Sequence, residues 1–258
     1  MITSTTNARI KNLMQLKKSA KARKEQKCFL VEGPRMFFEL PPAQLQEAYL
    51  TADFEEKYRD RLADYRYEVI SDTVCKHISD TKTPQGVLAV VKQNPITFEE
   101  LLALEKNPIF MILENLQDPG NLGTILRSSE AAGVTGIIMN RETVDPYNPK
   151  VIRSTMGTVF RVPFVIVDDL PLVLEKLKER GIATYAAHLE GHSFYEEDYK
   201  KACAFLIGNE GNGLSDEISS LAQHKIRIPM KGKVESLNAA IASTVLMYEV
   251  QRQRGWES

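Results

Sequence analysis

Three short segments concentrate residue types that could hold a ligand and act on it. The first runs Glu114-Asn115-Leu116-Gln117-Asp118-Pro119-Gly120-Asn121-Leu122-Gly123 and on to Arg127. It reads as a turn-rich loop entering a helix, with Arg127 one to two turns inside. An arginine there offers a planar fork of donors that suits a phosphate or another oxyanion. The second is Gly208-Asn209-Glu210-Gly211-Asn212-Gly213-Leu214-Ser215, three glycines with two amides and one acid among them. Such glycines permit a tight turn and close backbone approach to a ligand. The third, Ile228-Pro229-Met230-Lys231-Gly232-Lys233-Val234-Glu235-Ser236-Leu237-Asn238, leads into a helix carrying Ala239, Ala240, Ala242 and Ser243. Those small residues let another element come close, and Ser236 is placed to cap the helix. Taken singly, each segment is also what an ordinary strand-to-helix turn looks like.

Several other chemistries lose support. The glycine loop lacks the third glycine of G-x-G-x-x-G, because Asp216 follows Ser215, and G-x-x-x-x-G-K-[ST] occurs nowhere. Nicotinamide-dependent and nucleotide-hydrolysing readings weaken accordingly. His188 and His192 are spaced i, i+4 around Glu190, yet they follow a strand pattern, Gly191 interrupts any helix between them, and no third ligand is evident. No metal is expected. Cys28, Cys75 and Cys203 are odd in number and far apart, so they read as thiols without function. Residues 1–27 lack the apolar region of a secretory signal, and the longest mostly apolar stretch, 239–248, is about half of what spans a bilayer. A cytoplasmic protein is expected. Arg141, Lys150, Arg153 and Arg161 read as scattered solvated charges, and Trp256 as a packing or partner residue.

The charge distribution is uneven. The 258 residues carry a formal net charge of −1, but residues 1–27 hold eight basic side chains (Arg9, Lys11, Lys17, Lys18, Lys21, Arg23, Lys24, Lys27) against Glu25. That segment is net +7 and the rest of the chain net −8. A positive arm on an acidic body suits a polyanion. Ile10, Leu13, Met14 and Leu16 sit near helical spacing in the same arm, which equally describes an amphipathic helix.

The positioning elements form two blocks. Strand patterns at 28–31 and 87–91, a weaker one at 48–51 and a helix over 53–63 make up the first. A break at 93–97 follows, and Thr97 with Glu100 forms a capping box opening a helix to about 105. These features predict an N-terminal domain over 1–95 and a C-terminal domain over 106–258. The second block alternates apolar strands (109–113, 136–139, 164–167, 183–187, 204–207) with helices (122–132, 170–180, 236–252). Fully apolar strands between helices predict an α/β fold with a parallel sheet covered on both faces, its ligand beyond the strands' C-terminal ends.

The three segments, in this order, closely resemble the SpoU (TrmH-like) branch of the SPOUT RNA 2′-O-ribose methyltransferases: Asn115-x5-Asn121-x-Gly123-x3-Arg127, Ile207-Gly208-Asn209-Glu210-Gly211-x-Gly213, and Ile228-Pro229-Met230-x5-Ser236-Leu237-Asn238. Phe29-Leu30-Val31-Glu32-Gly33 and Thr83-Pro84-Gln85-Gly86 resemble that family's N-terminal substrate-binding domain, and Asn148-Pro149-Lys150-x2-Arg153-x2-Met156-Gly157 its connecting segment. The likeness implies a C-terminal SPOUT domain with a trefoil knot and a smaller N-terminal α/β domain. It further implies S-adenosylmethionine as cofactor, a homodimer through the C-terminal region, and RNA, most plausibly ribosomal, as substrate. By motif, Ala187, Gly208, Ile228 and Leu237 would hold the cofactor, while Arg127, Asn121, Glu210, Ser236 and Asn238 would line the reaction site. Ser128-Ser129 and Ala239-Ala240 depart from the common pattern at positions that concern helix packing.

Methyl transfer to a ribose hydroxyl needs alignment, loss of a proton and stabilisation of developing charge. None of the three segments offers an obvious strong base. A guanidinium resists deprotonation, so Arg127 is expected to clamp a phosphate and steady the nascent alkoxide, with Glu210 orienting it or a loop amide. Ser236 and Asn238 are expected to fix the loop around the cofactor. Two alternatives stand beside this reading: a catalytically silent RNA-binding or ribosome-assembly protein, and a methyltransferase acting on tRNA.

Overall fold

A computed structural model describes residues 1–255; Trp256 lies outside the described residues. The chain divides into two compact units, Met1–Asn94 with Asp145–Phe160, and Pro95–Val144 with Arg161–Ser258. The segment Asp145–Phe160, left inside the C-terminal block by the sequence reading, therefore belongs to the first unit. The cause is specific packing. The buried Arg23 guanidinium grips Asp145 Oδ2 through Nε at 2.8 Å and Nη2 at 2.6 Å, and the Phe29 ring lies against Tyr147 and Phe160.

The first unit is a four-stranded sheet of β1 (Cys28–Glu32), β2 (Leu45–Leu50), β3 (Glu68–Val69) and β4 (Val87–Lys92) in the order β1-β4-β2-β3. β4 runs antiparallel to both β1 and β2. Around it lie α1 (Ala8–Lys18), α2 (Ala20–Gln26), α3 (Pro34–Glu39), α4 (Ala52–Lys57), α5 (Asp72–Ile78) and, from the second segment, α8 (Pro149–Thr155). The weak strand at 48–51 is β2, which starts three residues earlier and ends one earlier; Thr51 instead caps α4. The helix expected over 53–63 ends at Lys57, where Tyr58 leaves the helical conformation and its ring packs 4.5 Å from Phe54.

The basic arm is part of this core. Ile10, Leu13 and Leu16 of α1 are fully buried in a cluster with Tyr49, Ile70, Val74 and Leu88. Arg23 is 3% exposed and also donates to Leu16 O, Lys17 pairs with Asp80 at 2.7 Å, and Arg9 with Glu68 at 2.7 Å. Lys11, Lys18, Lys24 and Lys27 remain exposed with no ion pair among the described residues.

The second unit holds a six-stranded sheet: β5 (Ile109–Leu113), β6 (Gly136–Asn140), β7 (Phe164–Val167), β8 (Ala183–Ser193), β9 (Cys203–Ile207) and β10 (His224–Arg227). Their order is β10-β8-β9-β5-β6-β7, and every pair is parallel. β5 and β9 are buried at every residue, as continuous apolar runs in a covered parallel sheet should be. The helices are α6 (Phe98–Leu102), α7 (Pro119–Ala131), α9 (Leu170–Glu179), α10 (Asp216–Leu221) and α11 (Ala239–Arg254).

Three local differences from the sequence reading matter for the site. Strand β8 is eleven residues rather than five, and β10 pairs with both its inner and its outer end; β10 is an edge strand whose only buried residue, Ile226, gave no pattern. Gly191 makes that pairing possible, because a Cβ there would overlap the backbone of Ile226. His188 and His192 thus lie within or beside an irregular stretch of the strand, where the pairing with β10 shifts register, and not on a helix, and His192 bonds Glu197. Helix α7 starts at Pro119, three residues early, because Asp118 caps it by accepting from Asn121 N at 2.8 Å with proline in the first turn. Helix α11 is capped by Asn238, which accepts from Ala240 N and Ile241 N; Ser236 lies two residues outside and does not cap it. Ser128 and Ser129 do serve helix packing, with Thr244 Oγ1 donating to Ser128 and Ser129 facing Met247 of α11.

Candidate functional site

The chain leaving β8, β9 and β10, together with the first turns of α11, lines a cleft of about 500 Å³ within the second unit. Parallel strands deliver their loops to one edge, so segments distant in sequence meet there. Ala187, Gly208, Ile228 and Leu237 all border the cavity, as do Glu210, Ser236 and Asn238. Asn121 and Arg127 do not. Residues with no cofactor role in the sequence reading also border it: His188 and Leu189 from the unforeseen half of β8, and Ala242 and Leu246 from the inner face of α11. The last two follow Asn238 at helical spacing, a signal that a longer periodic count from the cap would have found.

Glu210 and Asn121 tie the three segments together. Glu210 accepts from Asp118 N at 2.8 Å, Gln117 N at 3.0 Å and Asn121 Nδ2 at 2.9 Å. Asn121, nearly buried, accepts in turn from Asn238 Nδ2 at 2.9 Å. Partial burial disfavours the Glu210 charge, yet the Asn121 amide and the two backbone donors outweigh it and hold the carboxyl below the usual glutamate range. Glu210 therefore orients loop amides. No bond joins it to Arg127.

The glycine loop is closed on itself. Asn209 and Gly213 exchange both backbone hydrogen bonds at 2.9 Å. A Cβ on Gly208 would overlap the backbone of Gly213 and Leu214, so only glycine fits. Ser236 makes no hydrogen bond among the described residues, and its segment between Met230 and Asn238 has no regular structure.

Arg127 stands on the outer face of α7, exposed and without a hydrogen bond or ion pair among the described residues. An uncommitted guanidinium is available to an external anion. All three cysteines are free and buried, and burial pushes the Cys203 thiol up to about 12, which removes it as a nucleophile. Among the described residues no group of three or more His, Cys, Asp or Glu is arranged to hold a metal, and no helix is long and apolar enough to cross a membrane.

Comparison with known proteins matches both parts of the chain. Residues 108–248 match the family model of the SpoU rRNA methylase family, and residues 7–89 match an MRM3-like substrate-binding domain. An uncharacterised tRNA/rRNA methyltransferase of Synechocystis is 36% identical over 98% of this chain and 94% of its own. A 23S rRNA guanosine 2′-O-methyltransferase of Bacillus subtilis, RlmP, is 29% identical over 97% of this chain and 98% of its own. Among solved structures, the SpoU methyltransferase AviRb from Streptomyces viridochromogenes, in complex with the cofactor AdoMet, superposes with a TM-score of 0.86 at 28% identity, covering 96% of this chain and 98% of that one. The motif order, the parallel sheet with a cavity beside its strand ends and the matched length of the chain agree, and the protein belongs to the SpoU rRNA methylase family.

Proposed function

We propose that this protein transfers a methyl group from S-adenosylmethionine to a ribose 2′-hydroxyl of ribosomal RNA. The observation that carries the reading is the convergence of the second and third motif segments on one cavity, with Asn121 of the first segment bonded to both Glu210 and Asn238.

The cavity suits the cofactor. Its size lies in the range of small-molecule sites. Ile228, Leu237, Leu246 and Ala187 supply apolar walls for a nucleoside, and the Gly208 turn brings backbone amides within reach of its polar edges. Bound there, S-adenosylmethionine supplies an electrophilic methyl group on a sulfonium. The chain's own work is positional: Glu210 holds the 117–118 amides and Asn121 in place, and Asn121 fixes Asn238 and so the start of α11. Ser236, on the same segment, borders the space the hydroxyl must enter. Arg127 is assigned to an RNA phosphate and to the charge that develops on the attacking oxygen. The proton leaves by a route other than Arg127, because a guanidinium resists deprotonation.

The first unit is assigned to RNA binding, with Lys11, Lys18, Lys24 and Lys27 as sequence-independent phosphate contacts. Ile241 and Tyr248, exposed on the outer face of α11, are assigned to a homodimer contact. The knot implied by the sequence resemblance is assigned to the chain from β9 through α11, whose turns border the cavity together. The protein is placed in the cytoplasm, where bacterial ribosomal RNA resides.

The test is transfer of labelled methyl from S-adenosylmethionine to RNA of cells lacking this protein, with Arg127→Ala as control. Alkali-resistant label at one position of an rRNA, absent with the variant, is expected. Label in tRNA alone would move the substrate class. Cofactor binding without label on free rRNA or on assembling ribosomal particles would support the silent RNA-binding reading instead.

A further inference from the structure

A residue outside all three motifs controls the shape of the cofactor loop. At the C-terminal end of β6, Asn140 holds Asn115 at two points: Asn115 N donates to Asn140 Oδ1 at 2.9 Å, and Asn140 Nδ2 donates to Asn115 Oδ1 at 2.7 Å. Thr143 Oγ1 donates to the same Asn140 Oδ1 at 2.8 Å and fixes the amide's orientation. Asn115 needs that support, because its backbone is left-handed (φ +56°), a conformation costly for any residue with a Cβ and least so for asparagine.

The left-handed turn aims the Asn115 carbonyl at the neighbouring strand end. It accepts from Asn209 Nδ2 at 2.9 Å and from Gln117 Nε2 at 3.1 Å. The other end of the Asn209 side chain accepts from Gly211 N at 2.9 Å and Asn212 N at 3.1 Å. Three amides on the adjacent ends of β6, β5 and β9 thus form one chain of hydrogen bonds, ending in the turn that borders the cavity. Asn140 does not border it.

We infer that Asn140 is a positioning residue for cofactor affinity, acting through Asn115 and Asn209 on the 209–213 turn. This rests on the assignment of the cavity to S-adenosylmethionine. The role is directional, not a matter of filling space. Asn140→Leu keeps the branched shape but removes both bonds. Asn140→Asp keeps the acceptor for Asn115 N and Thr143, and the Asn115 amide can flip to donate to the second oxygen, since its own Nδ2 has no partner among the described residues.

Titration of the purified full chain with S-adenosylmethionine by calorimetry, beside steady-state kinetics and thermal melts, tests this. Asn140→Leu and Asn140→Ala are expected to raise Kd and KM for the cofactor about tenfold, the size of a lost hydrogen-bonded pair, with kcat at saturating cofactor within about twofold. Asn140→Asp is expected to stay near the unsubstituted protein. A lower melting temperature with unchanged KM in the Leu and Ala variants would mean a purely structural residue and overturn the inference. Equal loss in the Asp variant would overturn it too. If the unsubstituted protein itself fails to bind S-adenosylmethionine, the cofactor assignment falls first and the inference with it.

Discussion

Asn121 and Asn238 lie 117 positions apart in sequence and meet through one hydrogen bond, Asn238 Nδ2 to Asn121 Oδ1 at 2.9 Å. The two ends of the Asn121 amide are thereby divided between two loops, since its Nδ2 serves Glu210. Replacing Asn121 with alanine leaves a carboxylate short of a donor and an amide short of an acceptor at a nearly buried position. A cost of about 1–3 kcal/mol follows, spent on loop order. Asn121→Ala is expected to lower S-adenosylmethionine affinity about tenfold and methyl transfer at least as much. Asn238→Ala should add a loss of about 1 kcal/mol in global stability, because it also uncaps α11. Calorimetric binding and chemical denaturation of the two variants separate these effects; equal denaturation midpoints would remove the capping role.

Glu210 gives the site a pH dependence of known sign. Its carboxyl titrates below the ordinary glutamate range of about 4.3, because its donors outweigh burial. A group whose folded pKa is depressed contributes stability in full above its unfolded value and loses it as the pH falls through the folded one. Cofactor affinity is therefore expected to be flat near neutrality on Glu210's account and to fall only under clearly acidic conditions. Glu210→Gln places an amide donor against one of the two backbone N–H groups, and should bind the cofactor about tenfold more weakly at pH 7. That variant should also lose the acidic inflection. Binding curves at several pH values would show whether the inflection belongs to this residue.

Gly208 is the position where a single methyl group should be decisive. A Cβ would overlap the Gly213 and Leu214 backbone, and no side-chain rotation relieves backbone overlap. Gly208→Ala is expected to open the Asn209–Gly213 turn and abolish measurable cofactor binding, while the circular dichroism of the sheet is retained. Normal affinity in that variant would show that the turn can be rebuilt around a methyl group.

The same loop marks what was legible in the sequence and what was not. Gly208, Ile228 and Leu237 are expected at the cofactor site only through the motif resemblance, while the strand before Gly208 is legible as a continuous apolar run. Strand β10 was missed because an edge strand with Ile226 as its only buried residue has no period to read. The cap on α11 was assigned to Ser236 because serine and asparagine are near equals as caps; only the tie to Asn121 selects Asn238. Membership of 145–160 in the first unit was invisible for a different reason. It depends on Arg23 finding Asp145 across 122 residues, and on Phe29 finding Tyr147 and Phe160, long-range choices that no local pattern encodes.

Arg23 shows why the basic arm must be tested by substitution. Removing residues 1–27 would take away the buried Ile10, Leu13 and Leu16 and strip Asp145 of its partner, so loss of RNA binding would report unfolding. Arg23→Ala alone is expected to cost about 3 kcal/mol, as removal of one member of a buried ion pair does, with little direct effect on RNA. Replacing Lys18, Lys24 and Lys27 by glutamine should leave the melting temperature within a few degrees. It should weaken rRNA binding and lower the slope of log affinity against log salt by up to about three, if each contacts a phosphate. An unchanged slope would remove the arm from the RNA interface.

Arg127 is the sharpest test of the chemistry, because its side chain makes no hydrogen bond or ion pair among the described residues and yet falls at the motif's arginine position. Arg127→Ala is expected to bind S-adenosylmethionine as the unsubstituted protein does, since the residue does not border the cavity, and to lose methyl transfer by a factor of about a hundred or more. The conservative variant distinguishes two roles. A bidentate clamp on phosphate requires the planar fork, so Arg127→Lys should remain close to Arg127→Ala. If positive charge alone suffices, the lysine variant should recover most of the activity, and recovery should weaken as salt is raised. Single-turnover transfer at saturating cofactor and RNA reads the chemical step without the binding terms, and substantial activity there in the lysine variant would replace the clamp with a simple electrostatic role.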